Sequence, residues 1–571
     1  MAQNNPTSKH DKFYLFVPLM LIAVILICYT HTLKFPFLWD DEVIIVQNPA
    51  VQDADAVRYI FKTTLFGGKA DQGTFYRPLH VLSYIMDYKI SALNTISYHI
   101  TNTALHTGIV LLIWFLLQLV GIKKKIAFVT AFIFAAHPIN TEAVIYISDR
   151  GDLLFTFFSL CSIYSFIKGS SGKKIGYIIS VVTFLIALFS KETAVVVPFI
   201  LAVYSWMFLR KNKDFLRKIV LSLLIAIAVG YTFKQIGYIG VSSKTTLSLI
   251  AHASIWERVL TFPRIVFTYI VLLVFPYHLH MEYMFVVRSA VSAYIWLGVP
   301  LIIFIIYLLI KYVKPRKITV FFLLWFFLAL GPFYNLAVAL ASTVREHWVY
   351  FPSIGFFTVL TTGGFQLYES INKKILKKVF LLLVAALGIY YVSYTIVRGR
   401  DWSSPGKLYL NDVRYEPLSF TLHNNVGVEY FRSGNLEEAS KAFLKAIDTA
   451  PNKSFNMAYT NLGVIYERSG ENEKALEMYE KSVNVSDSQI GYSNLGNMYL
   501  KFARYDNAIN VLKNAVELYP ISLELLYKLA AAYYLKGDLV NAYNTFLRVE
   551  KIQANYEQTR TALSEIERIL N

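Results

Sequence analysis

Residues 13–42 read FYLFVPLMLIAVILICYTHTLKFPFLWDDE. From Phe13 to Thr30 there is no charged side chain, close to the roughly 20 apolar residues that a bilayer-crossing helix needs. No small-residue cleavage site follows, and many further apolar runs do, so the stretch reads as an uncleaved first membrane span, not a signal peptide. The span ends in Phe37-Leu38-Trp39 and then three consecutive carboxylates, Asp40, Asp41 and Glu42. A carboxylate beside another has its pKa raised, which suits a general base near neutral pH. The plainer reading of the same residues is a solvated acidic loop start that caps the next helix.

The rest of the chain follows the pattern set by that first span. The 571 residues are 56% hydrophobic and 16% charged, with a mean hydropathy of +0.45. Soluble domains run at about 45–50% apolar and about 25% charged. The excess is local. Long apolar runs fill residues 13–400, and 420–571 has an ordinary soluble composition. This predicts a membrane domain over 1–400 and a soluble domain over 401–571.

Eleven candidate spans are read at 13–32, 99–121, 126–147, 152–168, 175–190, 193–209, 218–236, 293–312, 318–340, 351–368 and 376–397. A shorter stretch, 262–278, lies between Pro263 and Pro276 and is expected to be re-entrant or interfacial. The runs 126–136 and 153–167 each look too short to cross alone, so the polar joint between them should dip into the outer leaflet. Basic clusters at Lys123–Lys125, Lys168–Lys174, Arg210–Lys218, Lys314–Lys317 and Lys373–Lys378 fall on one side if the N-terminus is cytosolic. The odd count then places the tail, the loop 33–98 and the other polar turns on the non-cytosolic face.

The net charge of +17 and pI near 9.4 therefore orient the chain in a bilayer. No basic stripe interleaved with aromatics accompanies them, which excludes nucleic acid as the expected partner. The two cysteines, Cys28 and Cys161, both lie in apolar runs and form no disulfide framework.

The tail carries an internal period. Val426-Gly427-x-x-Tyr430, Leu462-Gly463-x-x-Tyr466, Leu495-Gly496-x-x-Tyr499 and Leu529-Ala530-x-x-Tyr533 place tyrosines 36, 33 and 34 residues apart. Ala439, Ala475, Ala508 and Ala542 follow in register, each with a large residue four later: Phe443, Tyr479, Leu512 and Phe546. Small residues let two helices of a hairpin approach, and large ones fill the gap to the next hairpin. The pattern resembles the tetratricopeptide repeat, in four copies with a capping helix over 555–570. That resemblance implies a concave face that binds a peptide or protein, with a rigid spacer as the alternative.

Four further polar groups interrupt the apolar part. They are Tyr76-Arg77-Pro78, His137-Pro138-Ile139-Asn140-Thr141-Glu142 with Ser148-Asp149-Arg150-Gly151-Asp152, Ser190-Lys191-Glu192, and Arg345-Glu346-His347-Trp348-Val349-Tyr350. Ionisable groups at membrane depth usually face a cavity or pair with one another. A structural salt bridge between Arg150 and Asp152 is the plain alternative for the second group. Together the groups supply acids and the cations Arg77, Arg150, Lys191 and Arg345, a combination that suits a lipid-linked sugar phosphate. Cations neutralise the phosphate leaving group, and one carboxylate deprotonates an incoming hydroxyl.

In this order and over nearly the whole chain, these motifs resemble the transmembrane-and-tetratricopeptide-repeat O-mannosyltransferases. Those belong to the GT-C type of glycosyltransferase, which uses polyprenyl-phosphate sugars. The resemblance rests on Phe37-Leu38-Trp39-Asp40-Asp41, Tyr76-Arg77-Pro78-Leu79, Tyr98-His99 with Asn102 and His106, His137 to Val144, Arg150-Gly151-Asp152, Lys191-Glu192, and Arg345-Glu346 with Tyr350 and Pro352. It implies an all-α polytopic GT-C-like domain followed by a repeat solenoid. It further implies inverting transfer of mannose from a polyprenyl phosphate to protein Ser or Thr on the non-cytosolic face of a bacterial plasma membrane. In that reading Asp40 is the base and Asp41 positions it. Arg345, Arg150, Lys191 and Arg77 hold the donor phosphate, and Glu142, Asp152, His137 and Tyr350 hold sugar or acceptor. No cofactor is required. There is no DxD-type metal motif; clustered acids are compatible with a divalent cation, but none is predicted. The expected partners are the lipid-linked donor, a protein or peptide acceptor and membrane lipid. Two other classes fit the same composition: a polysaccharide ligase or polymerase using a polyprenyl carrier, and a non-catalytic membrane anchor for the repeats.

Overall fold

The computed structural model describes residues 9–53, 57–58, 60–62, 65, 75–209, 249–292 and 294–570. The expected span 218–236, the basic cluster Arg210–Lys218 and part of the loop 33–98 lie outside these. The described residues form helices joined by turns and irregular segments, and their one ladder contact is an antiparallel bridge between Tyr283 and Val344. The chain divides into two compact units, Met1–Glu416 and Pro417–Asn571.

The division falls after Glu416 and not after residue 400, for an electrostatic reason. The helix Pro405–Tyr415 is tied back to the first unit by Asp412, which pairs with the buried Arg398 at 2.8 Å and accepts the Met281 N–H at 2.7 Å. Glu416 accepts the Met284 N–H at 3.1 Å.

Six helices of the first unit are long and apolar enough to cross a bilayer: Leu15–Thr32, Thr95–Leu119, Ile147–Ser170, Tyr294–Tyr312, Arg316–Phe333 and Lys374–Asp401. A seventh candidate is the pair Lys124–Ala136 and Pro138–Ile145, bent by 53°. The expected count of eleven is not reached among the described residues. Ile175–Ser190 and Glu192–Phe208 are apolar but short. The run 153–167 belongs to the 24-residue helix Ile147–Ser170, so it does not fall short of a span as its bare apolar core suggested. The stretch 262–278 lies mostly in one continuous helix, Ile255–Val274, with Pro263 inside it. That helix begins earlier than the apolar run because Ser254 and Glu257 form a reciprocal capping box.

The bend at His137 has a local cause. Pro138 has no N–H to continue the helix, and the His137 Nδ1 instead accepts the Ile139 N–H at 3.2 Å. Two short helical turns follow, Thr141–Ile145 and Ile147–Asp149, before the long helix starts at Arg150. This polar joint is almost fully buried. Close helix approach around it uses glycine: a Cβ at Gly355 would run into the Phe322 carbonyl oxygen.

The second unit consists of four helix pairs, from Phe420–Arg432 with Leu436–Thr449 to Leu523–Lys536 with Leu539–Ile552, and a final helix Thr559–Leu570. The small-against-large register holds in every pair. A Cβ at Gly427, Gly463 or Gly496 would stand 2.6, 2.5 or 2.7 Å from Phe443, Tyr479 or Leu512. In the fourth pair Ala530 takes the glycine position and clusters with Ala542 and Phe546. Gly434, Gly470 and Gly537 turn at positive φ, and Ala503 makes the same turn in the third pair at φ 52°. Leu563 and Ile566 of the last helix cover the end of the stack.

Candidate functional site

The acidic stretch that follows the first span is held from two sides. Asp41 is 1% exposed. Its carboxylate accepts the Leu38 N–H at 2.9 Å, the Ser148 N–H at 2.8 Å and the Ser148 hydroxyl. Burial still outweighs these donors and pushes its carboxyl up to about 7. Asp40 is half-buried, and its backbone N–H donates to the Tyr146 hydroxyl at 3.0 Å. Burial raises its carboxyl too, against the pull of Arg345, Tyr146 and His347. Between the first span and Asp40 the chain passes through Trp39 at φ 49°, a left-handed conformation that a bulky residue rarely takes. The indole stacks on Tyr146, which in turn lies against Trp402. Asp40 thus follows a left-handed residue held in an aromatic stack, and Asp41 anchors this stretch to the 148 turn.

Arg345 lies on the other side of Trp39, with its guanidinium carbon 4.8 Å from the ring centroid. One amino nitrogen pairs with Glu282 at 3.1 Å, and the side chain stays 13% exposed. Burial works to lower its pKa, and Glu282, Glu142, Asp40 and Asp149 outweigh it. The Tyr269 hydroxyl fixes the backbone here by donating to the Arg345 carbonyl at 3.1 Å.

Glu142, Asp149 and His347 meet beside this pair. His347 Nδ1 is 3.0 Å from Glu142 Oε1 and 3.0 Å from Asp149 Oδ2, and the His347 N–H donates to Glu142 Oε2 at 3.1 Å. Burial alone would lower the imidazole pKa; the two carboxylates outweigh it and hold it up to about 10.

The other expected site residues separate into two kinds. Arg77 pairs with Glu192 through two bonds of 2.6 and 2.9 Å, and Lys191 pairs with Asp152 at 2.6 Å. These pairs remain close to the centre, since Asp149 and Asp152 both act electrostatically on Arg77. Arg150, His137 and Tyr350, expected at the donor or acceptor, are buried and paired with groups of the protein itself. Arg150 is 0% exposed and pairs with Asp87 at 2.6 Å. It also bonds to the Asn102 side chain and to the Ser83 and Tyr98 carbonyls. Its partner is therefore Asp87, not Asp152. His137 contacts the Leu273 carbonyl through Nε2 and packs on Tyr391, and the Tyr350 hydroxyl meets His106 Nδ1 at 2.5 Å.

Three residues of the centre escaped selection from sequence. His347 and Asp149 stood inside quoted motifs, two residues from Arg345 and one from Arg150. Glu282 had no signal, because its place beside Arg345 is made by the Tyr283–Val344 bridge.

Fold and centre together define a helical membrane protein whose acidic and cationic groups converge at the polar ends of its helices, with a tetratricopeptide-repeat tail. The tetratricopeptide repeat family matches residues 420–453, 458–488 and 494–557. Over the longer chain, the protein O-mannosyl-transferase F38B6.6 of Caenorhabditis elegans is 25% identical across 446 residues, covering 76% of this chain and 63% of its own. The protein O-mannosyl-transferase TMTC3 of Mus musculus is 26% identical, covering 76% of this chain and 51% of its own. TMTC4 of Homo sapiens is 22% identical, covering 77% and 66%. The chain is similar to these proteins over about three quarters of its own length, and it spans about half to two thirds of theirs.

Proposed function

We propose that the chain is a GT-C type protein O-mannosyltransferase. It moves mannose from a polyprenyl phosphate to Ser or Thr hydroxyls with inversion, on the non-cytosolic face of a bacterial plasma membrane. The repeats engage the acceptor or a partner. The observation that carries this reading is the placement of Asp40 between its Tyr146 anchor and the field of Arg345, directly after the first span. The raised Asp40 carboxyl is a stronger base than an ordinary one, and it takes the proton of the acceptor hydroxyl as the oxygen attacks the anomeric carbon. The bond from that carbon to the phosphate oxygen breaks, and Arg345 neutralises the departing lipid phosphate. No acid needs to protonate this leaving group. Arg77 and Lys191 serve the phosphate only by exchanging their present carboxylate partners. The relatives named as O-mannosyl-transferases support mannose and a protein acceptor.

A transfer assay tests the reading. Purified full-length protein is given polyprenyl-phosphate mannose and a Ser/Thr-rich peptide, beside the Asp40→Asn variant. Transfer by the wild type alone supports it; equal transfer by the variant removes Asp40 from the role.

A further inference from the structure

Glu142, Asp149 and His347 come from three separate elements: the turn Thr141–Ile145, the turn Ile147–Asp149 and the turn Glu346–Val349. Each turns one atom toward a common point. Glu142 Oε1, Asp149 Oδ2 and His347 Nδ1 all lie within 4.8 Å of one another. All three atoms are sealed from solvent, and their close contacts are the two ion pairs that His347 Nδ1 makes with Glu142 Oε1 and Asp149 Oδ2. The Glu142 side chain is 0% exposed and that of His347 is 9% exposed. Two carboxylates buried against one imidazole carry more negative than positive charge, and buried charge is costly unless it is compensated. The second Glu142 oxygen is held by the His347 N–H, which leaves Oε1 aimed at the gap.

A proton on Nδ1, shared between the two oxygens, sets one positive charge against two negative ones. A metal ion contacts all three atoms at once. Bonds of about 2.0–2.2 Å place tetrahedral ligands about 3.4 Å apart. The two 3.0 Å separations are a few tenths of an ångström short of that distance, so a bound ion would spread them slightly. One imidazole with two carboxylates suits transition-metal cations better than magnesium or calcium, which take oxygen ligands alone.

We propose that Glu142, Asp149 and His347 form a binding site for one divalent cation of the zinc or manganese class, with a coordination position left for an anionic ligand. Its role rests on the proposed function: His347 and Arg345 both act on Asp40, so a cation here joins Arg345 in facing the donor phosphate. The site itself does not depend on that role.

The test uses full-length detergent-solubilised protein, stripped with chelator and dialysed against Zn2+ or Mn2+. Metal per chain is read by elemental analysis, and the melting temperature is followed during titration. The expected result is about one ion per chain with a rise in melting temperature on binding. Glu142→Gln and His347→Asn are expected to weaken binding by at least the roughly 10–100-fold that even outer-shell losses cost. If either variant fails to fold, Asp149→Asn, whose side chain is 12% exposed, serves in its place. Wild-type protein that takes up neither metal has only a proton in the gap and overturns the site, and so does unchanged affinity in the variants. No sugar donor is present, so absence of transfer leaves a positive metal result standing. Transfer by metal-free protein, beside a positive binding result, overturns the role in transfer and leaves the site standing.

Discussion

The Asp41 carboxylate and Ser148 are 107 residues apart in the chain, yet one Asp41 oxygen accepts both the Ser148 N–H, at 2.8 Å, and its hydroxyl. This contact joins the end of the first span to the start of the Ile147–Ser170 helix and so sets where Asp40 stands. Asp41→Asn would turn an amide NH2 toward one of the N–H donors on either side. Each donor left without an acceptor costs about 1–3 kcal/mol. The variant is expected to melt earlier than wild type and to lose transfer together with stability, which a thermal melt run beside the activity assay reads directly.

Asp41 also predicts a pH dependence of stability. Its folded pKa is about 7, above the ordinary carboxylate value of 3.8. The folded state therefore binds this proton more tightly than the unfolded chain. Its contribution is fully present below the unfolded value and is lost as pH rises through about 7. Melting temperatures taken from pH 4 to 8 are expected to carry a falling component in wild type that is absent from Asp41→Asn. Equal slopes in the two proteins would remove Asp41 as its source.

Arg150 and Arg345 should fail in different ways. Arg150→Met strands Asp87 without its partner in the core, and breaking such a buried pair costs about 3–5 kcal/mol. Loss of folded protein is the expected result. Arg345→Gln leaves a partly exposed position and is expected to fold, with weaker donor use. Comparing purification yield and melting with the KM for the lipid donor separates the two; a stable Arg150→Met protein with a raised donor KM would return Arg150 to the phosphate.

In the repeats, Gly463→Ala places a Cβ 2.5 Å from the Tyr479 ring. Overpacking of this kind typically costs about 1–3 kcal/mol. The repeat unit should melt earlier, and the cost of the added Cβ should shrink in a Tyr479→Ala background, which lacks the ring it meets. Chemical denaturation followed by far-ultraviolet circular dichroism checks both.

The sequence exposed the repeat unit more completely than the membrane unit, and the difference is physical. Gly427, Gly463 and Gly496 meet their large partners at a fixed offset within one hairpin, so spacing alone shows the contact. Arg150, by contrast, finds Asp87 through packing between distant helices, and nothing in the order of residues distinguishes that pairing from one with Asp152. Asp40, Asp41 and Arg345 were legible because each follows or precedes an apolar run directly. Glu282 was not, because a single bridge between two irregular segments delivers it. Span boundaries shifted where capping extended a helix past its apolar core, as Ser254 and Glu257 do for Ile255–Val274.

The central claim is that Asp40 acts as the base on a hydroxyl acceptor while Arg345 neutralises a lipid phosphate. It is tested most directly by single-turnover transfer from polyprenyl-phosphate mannose to a Ser/Thr peptide, with wild type, Asp40→Asn and Arg345→Gln compared at matched folded concentration. The account predicts transfer by wild type, loss of at least the roughly 100-fold that a general base contributes in Asp40→Asn, and impaired donor use in Arg345→Gln. Wild-type rates in Asp40→Asn would contradict it.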